Sequence, residues 1–275
     1  MFNKKNNSFW VLLTIIFLGI LLIASIYPLY WMFAAATRPN SEIFTSELPG
    51  TSFLANMEWL TATMPFWRIL ANSLVVSLAT AGGTVFFGAM AGYAFTQFEF
   101  RGKKVLFGLV LLTMMLPIQV SLVPLFIIMN KLSWTDSYWA LIVPFLVTPF
   151  GVFLMRQQLL SFPKELVESA RIDGASELKI FTSMVLPNIK PAAATVAIIT
   201  FTQQWGNFIY HLVVLTKSDM YTVPLMLSTL VQPGYVTQYG AVMAAALVGL
   251  VPMIVIFAFF QKYFVSGALA GAVKG

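Results

Sequence analysis

Six stretches of the chain, about residues 10–36, 71–96, 105–129, 138–155, 192–210 and 241–261, contain no Asp, Glu, Lys or Arg. A run of roughly 20 apolar residues is what a helix needs to cross the hydrocarbon of a bilayer. Within lipid every backbone polar group must be satisfied inside the protein, which leaves the helix as the natural form for such a run. Composition agrees: 59% of residues are hydrophobic and 9% charged, where a soluble domain carries about 25% charged residues. The expected fold class is an all-α membrane protein with six transmembrane helices. Lys4 and Lys5 ahead of the first run, and Ala34-Ala35-Ala36 at its end, resemble a secretory signal. The apolar run between them exceeds the roughly 7–15 residues of a signal core, so it reads as an uncleaved first span.

Basic residues orient the spans. With the N-terminus inside, the inner segments hold Lys4, Lys5, Arg101, Lys103, Lys104, Arg156, Lys164, Arg171, Lys179, Lys190, Lys262 and Lys274, twelve of the 16. The outer segments hold Arg38, Arg68, Lys131 and Lys217. Lys and Arg accumulate on cytoplasmic loops, so both termini are expected in the cytoplasm of a multi-pass protein. Segments 37–70 and 211–240 become long outer loops, which between them contain Pro, Gly, Trp and Tyr and are able to meet an external partner or to cap helix ends. Residues 130–137 form a short outer connection.

Several function classes drop out. The chain has no Cys and a single His, His211, so thiolate sites are excluded and a metal site is not expected. His211 reads as an interfacial residue without chemistry. Nothing points to nucleic acid, and no acid–base pair or nucleophile with a base supports a membrane enzyme. Ion-driven carriers keep ionisable groups within the bilayer to bind the coupling ion; these six runs have none. A Gly-x-x-x-x-Gly-Lys-[Ser/Thr] phosphate loop is also absent. Any uphill movement must draw its energy from another protein.

The largest inner segment, residues 161–191, reads SFPKELVESARIDGASELKIFTSMVLPNIKP. Ser161 is expected to cap a helix with Pro163 in its first turn. Glu165 and Glu168 favour the positive N-terminal end, and Leu166, Ala170 and Ile172 fall on one side. Gly174 permits the positive φ that ends the helix. Ser176 is expected to cap a second helix with Leu178, Phe181, Met184 and Val185 as its apolar stripe, until Pro187 and Pro191 stop or bend it. Charges in such a segment also suit a plain solvated helix face.

Glu168-Ser169-Ala170, Asp173-Gly174-Ala175, Leu186-Pro187 and Pro191 resemble the Glu-Ala-Ala loop of the membrane subunits of bacterial ATP-binding-cassette importers. Ser169 replaces the family's first Ala, small for small. Gly92-Tyr93-Ala94 and Phe98-Glu99-Phe100-Arg101-Gly102-Lys103-Lys104 resemble a turn of carbohydrate importers, and residues 265–275 look like the tail of maltose-transporter permeases. The run from Phe162 to Ala175 is also similar to glycerol 3-phosphate permeases.

The resemblance implies a type I importer permease fold and a coupling helix that docks on a cytoplasmic ATPase through Glu168, Ser169, Ala170, Arg171, Asp173, Gly174, Ala175, Leu186 and Pro187. It implies a tail contact with the ATPases through Gly271, Val273, Lys274 and Gly275. It further implies a second homologous permease, two ATPase subunits that bind the ATP and magnesium, and an extracellular solute-binding protein, all at a bacterial plasma membrane. No cofactor is expected on this chain itself. On this reading residues 1–70 are an N-terminal tail, first span and external loop, 71–264 a permease core of five spans, and 265–275 a cytoplasmic tail.

A transport path needs polar groups between helices. Gln119, Gln203, Gln204, Trp205, Asn207 and Tyr210 are the candidates, with Asn72 beside them, and QQWGNFIY at 203–210 is the densest cluster. Gln and Asn both donate and accept hydrogen bonds, and aromatic faces pack on the C–H faces of sugars, so a neutral carbohydrate fits. Glycerol 3-phosphate, amino acids or peptides are the alternative cargoes, and an ion-coupled carrier is a further one. Polar groups in spans also bond helix to helix. Gly88 and Gly92, and Ala241, Ala244, Ala245 and Gly249, are expected to serve close helix packing, and Met114, Met115 and Pro117 to mark a kink.

Overall fold

A computed structural model describes residues 4–232 and 237–272. In chain order the helices are α1 Lys4–Ala36, α2 Phe53–Thr63, α3 Phe66–Gln97, α4 Lys103–Met114, α5 Ile118–Lys131, α6 Tyr138–Ile142, α7 Pro149–Leu159 and α8 Lys164–Ile172. They continue as α9 Glu177–Ile180, α10 Leu186–Asn188, α11 Lys190–Trp205, α12 Ile209–Val214, α13 Val223–Leu230 and α14 Tyr239–Ala272. No strand occurs among the described residues.

Trp10–Ala36, Phe66–Gln97, Tyr138–Leu159 and Tyr239–Gln261 are each long and apolar enough to cross a bilayer. Two bent helix pairs, α4 with α5 at 103° and Glu177–Asn188 with α11 at 82°, reach that length and apolarity only when taken together. The described residues thus hold four such helices, or up to six if each bent pair is one span. The expected kink at Pro117 is a sharp break: Met115 closes α4 with bonds to Leu112 and Thr113 carbonyls, and Pro117, at φ −63° and ψ 135°, opens α5 in the φ range that the proline ring enforces. The fifth run also differs from a continuous 192–210 helix. It starts at Lys190 and stops at Trp205, where Gly206 and Asn207 interrupt it before α12.

The chain forms two compact units. The first joins residues 1–66 to 227–250. Its lattice of polar contacts starts where α1 ends. Arg38 is fully buried, and its Nε and one terminal nitrogen donate to the carbonyls of Leu48 (2.8 Å) and Ile43 (3.1 Å). Asn56 of α2 donates to the carbonyls of Ala36 and Arg38, both at 2.9 Å. Gly240 lies so close that a Cβ would meet Asn56 Nδ2 at 2.7 Å and the Arg38 carbonyl at 2.8 Å. Asn40 Oδ1 accepts from Tyr239 N (2.8 Å), satisfying one of the N–H groups that every helix start leaves open. The expected packing role of Ala241, Ala244 and Ala245 is met by complete burial of all three.

The second unit joins residues 67–226 to 251–275. Glycine sets its tightest helix pair. A Cβ on Gly88 would lie 3.2 Å from the Gly151 carbonyl carbon, and one on Gly92 would lie 2.8 Å from Arg156 N and 2.9 Å from the Met155 carbonyl carbon. Close backbone approach of this kind is how small residues join helices in lipid. The hydrophobic cluster around this crossing includes Tyr93, Met155, Leu159, Val167, Ile180, Phe181, Val185 and Val196. At the other end of the unit, Asp136 ties two loops. Its Oδ1 accepts from Thr216 N (2.6 Å) and Lys217 N (2.9 Å), and its Oδ2 accepts from the Thr216 hydroxyl (2.6 Å).

Candidate functional site

The 161–191 segment folds as a bent helical hairpin. α8 ends in a Schellman motif: Ala175 N donates to Ala170 O and Gly174 N to Arg171 O, both at 3.0 Å. Gly174 holds φ at +79°, as its sequence position predicts. Ser176 then caps α9, its hydroxyl accepting from Lys179 N. At the other end the expectation fails. The Ser161 hydroxyl donates to Gln158 O (2.9 Å), and Pro163 occupies the N-cap position instead, because its fixed φ already suits a helix start.

The buried faces also differ from the expected stripes. Val167 and Ala170 face inward from α8, while Leu166 and Ile172 are exposed, Ile172 by 86%. In the second limb Ile180, Phe181 and Val185 are buried and Leu178 is exposed. A π-helical turn over Phe181–Val185 rotates the helix face, which a regular 3.6-residue period misplaces. The hairpin therefore buries one apolar edge and presents a second edge of Leu166, Ile172 and Leu178 outward. Glu168, Ser169, Asp173, Gly174 and Pro187 are exposed, and Arg171, Ala175 and Leu186 are half-buried.

Glu177, which the sequence did not single out, holds the hairpin to α3. Its Oε1 accepts from Arg171 Nε at 2.5 Å, and its Oε2 accepts from the Tyr93 hydroxyl at 2.8 Å. Arg171 also lies over the Phe98 ring, 5.1 Å from its centroid. A charge-assisted network of this type links the hairpin to the end of a span. The signal was present in sequence: Arg171 and Glu177 flank the glycine turn, which brings residues six apart together.

Three interruptions of helix meet around a cavity of about 600 Å³. Ile118, Ser121 and Leu125 come from α5 after the Pro117 break. Pro144, Phe145, Val147, Thr148 and Pro149 come from the break before α7, where the Thr148 hydroxyl caps the helix by accepting from Gly151 N at 3.1 Å. Thr200, Gln203, Gln204 and Asn207 come from α11 and the break beyond it. Non-helical backbone at membrane depth is tolerated where it is buried or lines a water-filled space, and this lining carries no charge. Asn207 Nδ2 donates to Gln204 Oε1 at 3.3 Å. A contiguous recess of about 610 Å³ shares Ile118, Ser121, Pro149 and Gln203.

Of the predicted path residues, the fold brings Gln203, Gln204 and Asn207 to this cavity and adds Ser121, Thr148 and Thr200. The others lie elsewhere. Trp205 stacks on Phe201 at 5.6 Å in a cluster with Ala81. Tyr210 is buried and donates to Ala140 O at 2.8 Å. Gln119 is exposed and does not border the cavity. A helix turns by 100° per residue, so adjacent polar positions cannot all face one space. Asn72 is likewise structural: its Nδ2 donates to Asp219 O (2.9 Å) and Tyr221 O (3.0 Å), and its Oδ1 accepts from Tyr138.

His211 is fully buried, and its Nδ1 lies 2.9 Å from the Thr222 hydroxyl. Burial depresses its pKa to about 4, so it is neutral at physiological pH. Gly271 falls within α14, whereas Val273, Lys274 and Gly275 lie outside the described residues. No cluster of His, Asp or Glu able to hold a metal occurs among the described residues.

Residues 84–268 match the binding-protein-dependent transport system inner membrane component family. The chain belongs to that family, the permease components of ATP-binding-cassette importers, and is a multi-pass membrane transport component rather than an enzyme. It is 38% identical to an arabinooligosaccharides transport system permease protein of Halalkalibacterium halodurans over 96% of both chains. It is 34% identical to an sn-glycerol-3-phosphate transport system permease protein of Escherichia coli O1:K1 / APEC, over 92% of this chain and 93% of that one. A crystal structure of a bacterial ABC transporter involved in import of the acidic polysaccharide alginate shares the fold. That match has a TM-score of 0.85 at 21% identity and covers 96% of this chain and 99% of that one.

Proposed function

We propose that this chain forms half of the pathway of an ATP-driven importer for a neutral oligosaccharide. The observation that carries the cargo class is the cavity lining: Thr200, Gln203, Gln204, Asn207, Ser121 and Thr148 offer hydrogen bonds and no Lys or Arg. Sugar hydroxyls match such groups, whereas a phosphate or carboxylate favours a cation. The identity to an arabinooligosaccharide permease supports the same class. A second reading, glycerol 3-phosphate, has the support of a relative at 34% identity. Uptake assays with a labelled neutral oligosaccharide and with glycerol 3-phosphate separate the two; glycerol 3-phosphate uptake without oligosaccharide uptake overturns the first.

The outward edge of the 164–188 hairpin is the proposed handle for a cytoplasmic ATPase, with Glu168, Asp173 and Gly174 beside exposed Leu166 and Ile172. In this assembly a second permease completes the pathway and two ATPase subunits bind the ATP and magnesium. A solute-binding protein docks on the outer loops, and the C-terminal residues 271–275 reach toward the ATPases. The two permeases alternate between inward-open and outward-open states as the ATPases close. The bias of basic residues supports a topology with both termini in the cytoplasm.

Gly174→Val tests the handle. Space around Gly174 is open, with nothing within 4 Å of an added Cβ, so only the positive φ is penalised, by about 1–2 kcal/mol. Expected are normal membrane insertion and loss of uptake, with Gly174→Asn, which tolerates that φ, retaining most of it. Full uptake by the Val variant refutes the assignment.

A further inference from the structure

We propose that the turn between α3 and α4 is a binding site for the phosphodiester headgroup of an anionic membrane lipid. A cavity of about 610 Å³ opens there. Arg156 projects into it, with its guanidinium carbon 4.0 Å from the centroid of the Phe107 ring. The Arg156 Nε is buried and has no hydrogen-bond partner in the protein. A guanidinium whose buried nitrogen is left unpaired is under-stabilised, and an anion in the adjoining cavity stabilises its charge.

The charges around the cavity favour an anion. Glu99 is its one acid, and Lys103 neutralises it: Lys103 Nζ lies 2.9 Å from Glu99 Oε1 and 2.8 Å from Phe98 O. Lys104 and Arg156 remain as cations facing the space. The first turn of α4 adds partial positive charge. Gly102, at φ +84°, provides no capping side chain, and Gly102, Lys103, Lys104 and Val105 all border the cavity. Orphan N–H groups of a helix start favour phosphate.

The apolar surroundings favour a lipid over a free phosphate. Phe95, Phe100 and Phe107 wall the space. From its rim, Val105, Leu106, Leu109 and Leu112 run exposed along α4, giving acyl chains a continuous apolar track into the bilayer. A cationic pocket above an apolar helix face, on the side richest in Lys and Arg, matches the anionic inner leaflet.

Native mass spectrometry of the full chain in detergent, with added phosphatidylglycerol or phosphatidylcholine, tests this. Each Lys or Arg at such a surface contributes about 1 kcal/mol, or about fivefold in affinity. The expected result is retention of phosphatidylglycerol over phosphatidylcholine by at least that factor, and an about fivefold loss in both Arg156→Gln and Lys104→Gln. Lys104 is exposed, so its variant leaves folding intact. Lys217→Gln removes the same charge at a distant loop and is expected to bind as the unmodified chain does. Equal retention of the two lipids, or a Lys104→Gln variant that binds normally, overturns the proposal. Displacement of phosphatidylglycerol by millimolar inorganic phosphate assigns the cavity to a free anion and overturns the lipid assignment.

Discussion

Asp136 shows how one side chain holds two loops of a membrane protein together. It sits at φ +55°, a left-handed conformation that Asp tolerates better than most residues, and accepts three hydrogen bonds from Thr216 and Lys217. Partial desolvation pushes its pKa up, but the Thr216 hydroxyl and the two backbone N–H groups outweigh that and hold the carboxyl below its ordinary value. A depressed folded-state pKa stabilises the fold above the unfolded value of about 3.9. That stabilisation is lost as pH falls through the lower folded value. Asp136→Ala is expected to lower the melting temperature in detergent at pH 7, by an amount corresponding to about 1.5–3 kcal/mol for a charged acceptor. Asp136→Asn keeps the backbone geometry and is expected to fall between the two. In both variants the acid-side decline in thermal stability is expected to weaken; a decline as steep as in the parent counts against the assignment.

At the scale of elements, the crossing of α3 and α7 rests on glycine for a reason that can be checked within one helix. A side chain at Gly92 meets backbone atoms of Met155 and Arg156, which cannot rotate away, while a Cβ at Gly82 meets nothing within 4 Å. Gly92→Val is therefore expected to destabilise the protein by about 1–3 kcal/mol or more, as overpacking does. Gly82→Ala in the same helix is expected to be neutral or slightly stabilising. Thermal unfolding followed by size-exclusion chromatography compares them, and equal effects would show that helix propensity, not the crossing, sets the cost. The hairpin over 164–188 packs on this same crossing through Val167, Ile180 and Phe181, and Glu177 links it to Tyr93 of α3. These contacts join the hairpin to the span, which is the mechanical requirement of the proposed coupling.

At the scale of the whole molecule, the proposed coupling takes its energy from ATPase partners, in keeping with six apolar runs that carry no charge. Collapse of the proton gradient, with ATP held constant, is expected to leave uptake by the complete transporter unchanged. Purified chain reconstituted alone is expected to accumulate no solute. Gradient-driven accumulation by the isolated chain would remove the basis of the reading.

The six apolar runs, the glycine turn at Gly174 and the Ser176 cap were legible from residues alone. Each depends on local properties: transfer free energy summed along about 20 residues, or the φ range open to one residue. The register of the hairpin was not legible, because the π-turn over Phe181–Val185 shifts the buried face from the regular period. Nor was the division among Gln203, Gln204, Trp205, Asn207 and Tyr210, which are close in sequence but separate into cavity lining and packed core. Residues distant in the chain make that division: Thr148 and Ser121 complete the cavity, and Ala140 takes up Tyr210. Hydropathy and turn chemistry act along the chain and can be read from it. Which polar groups share a space depends on where helices break and cross, and those contacts exist only once the chain has folded.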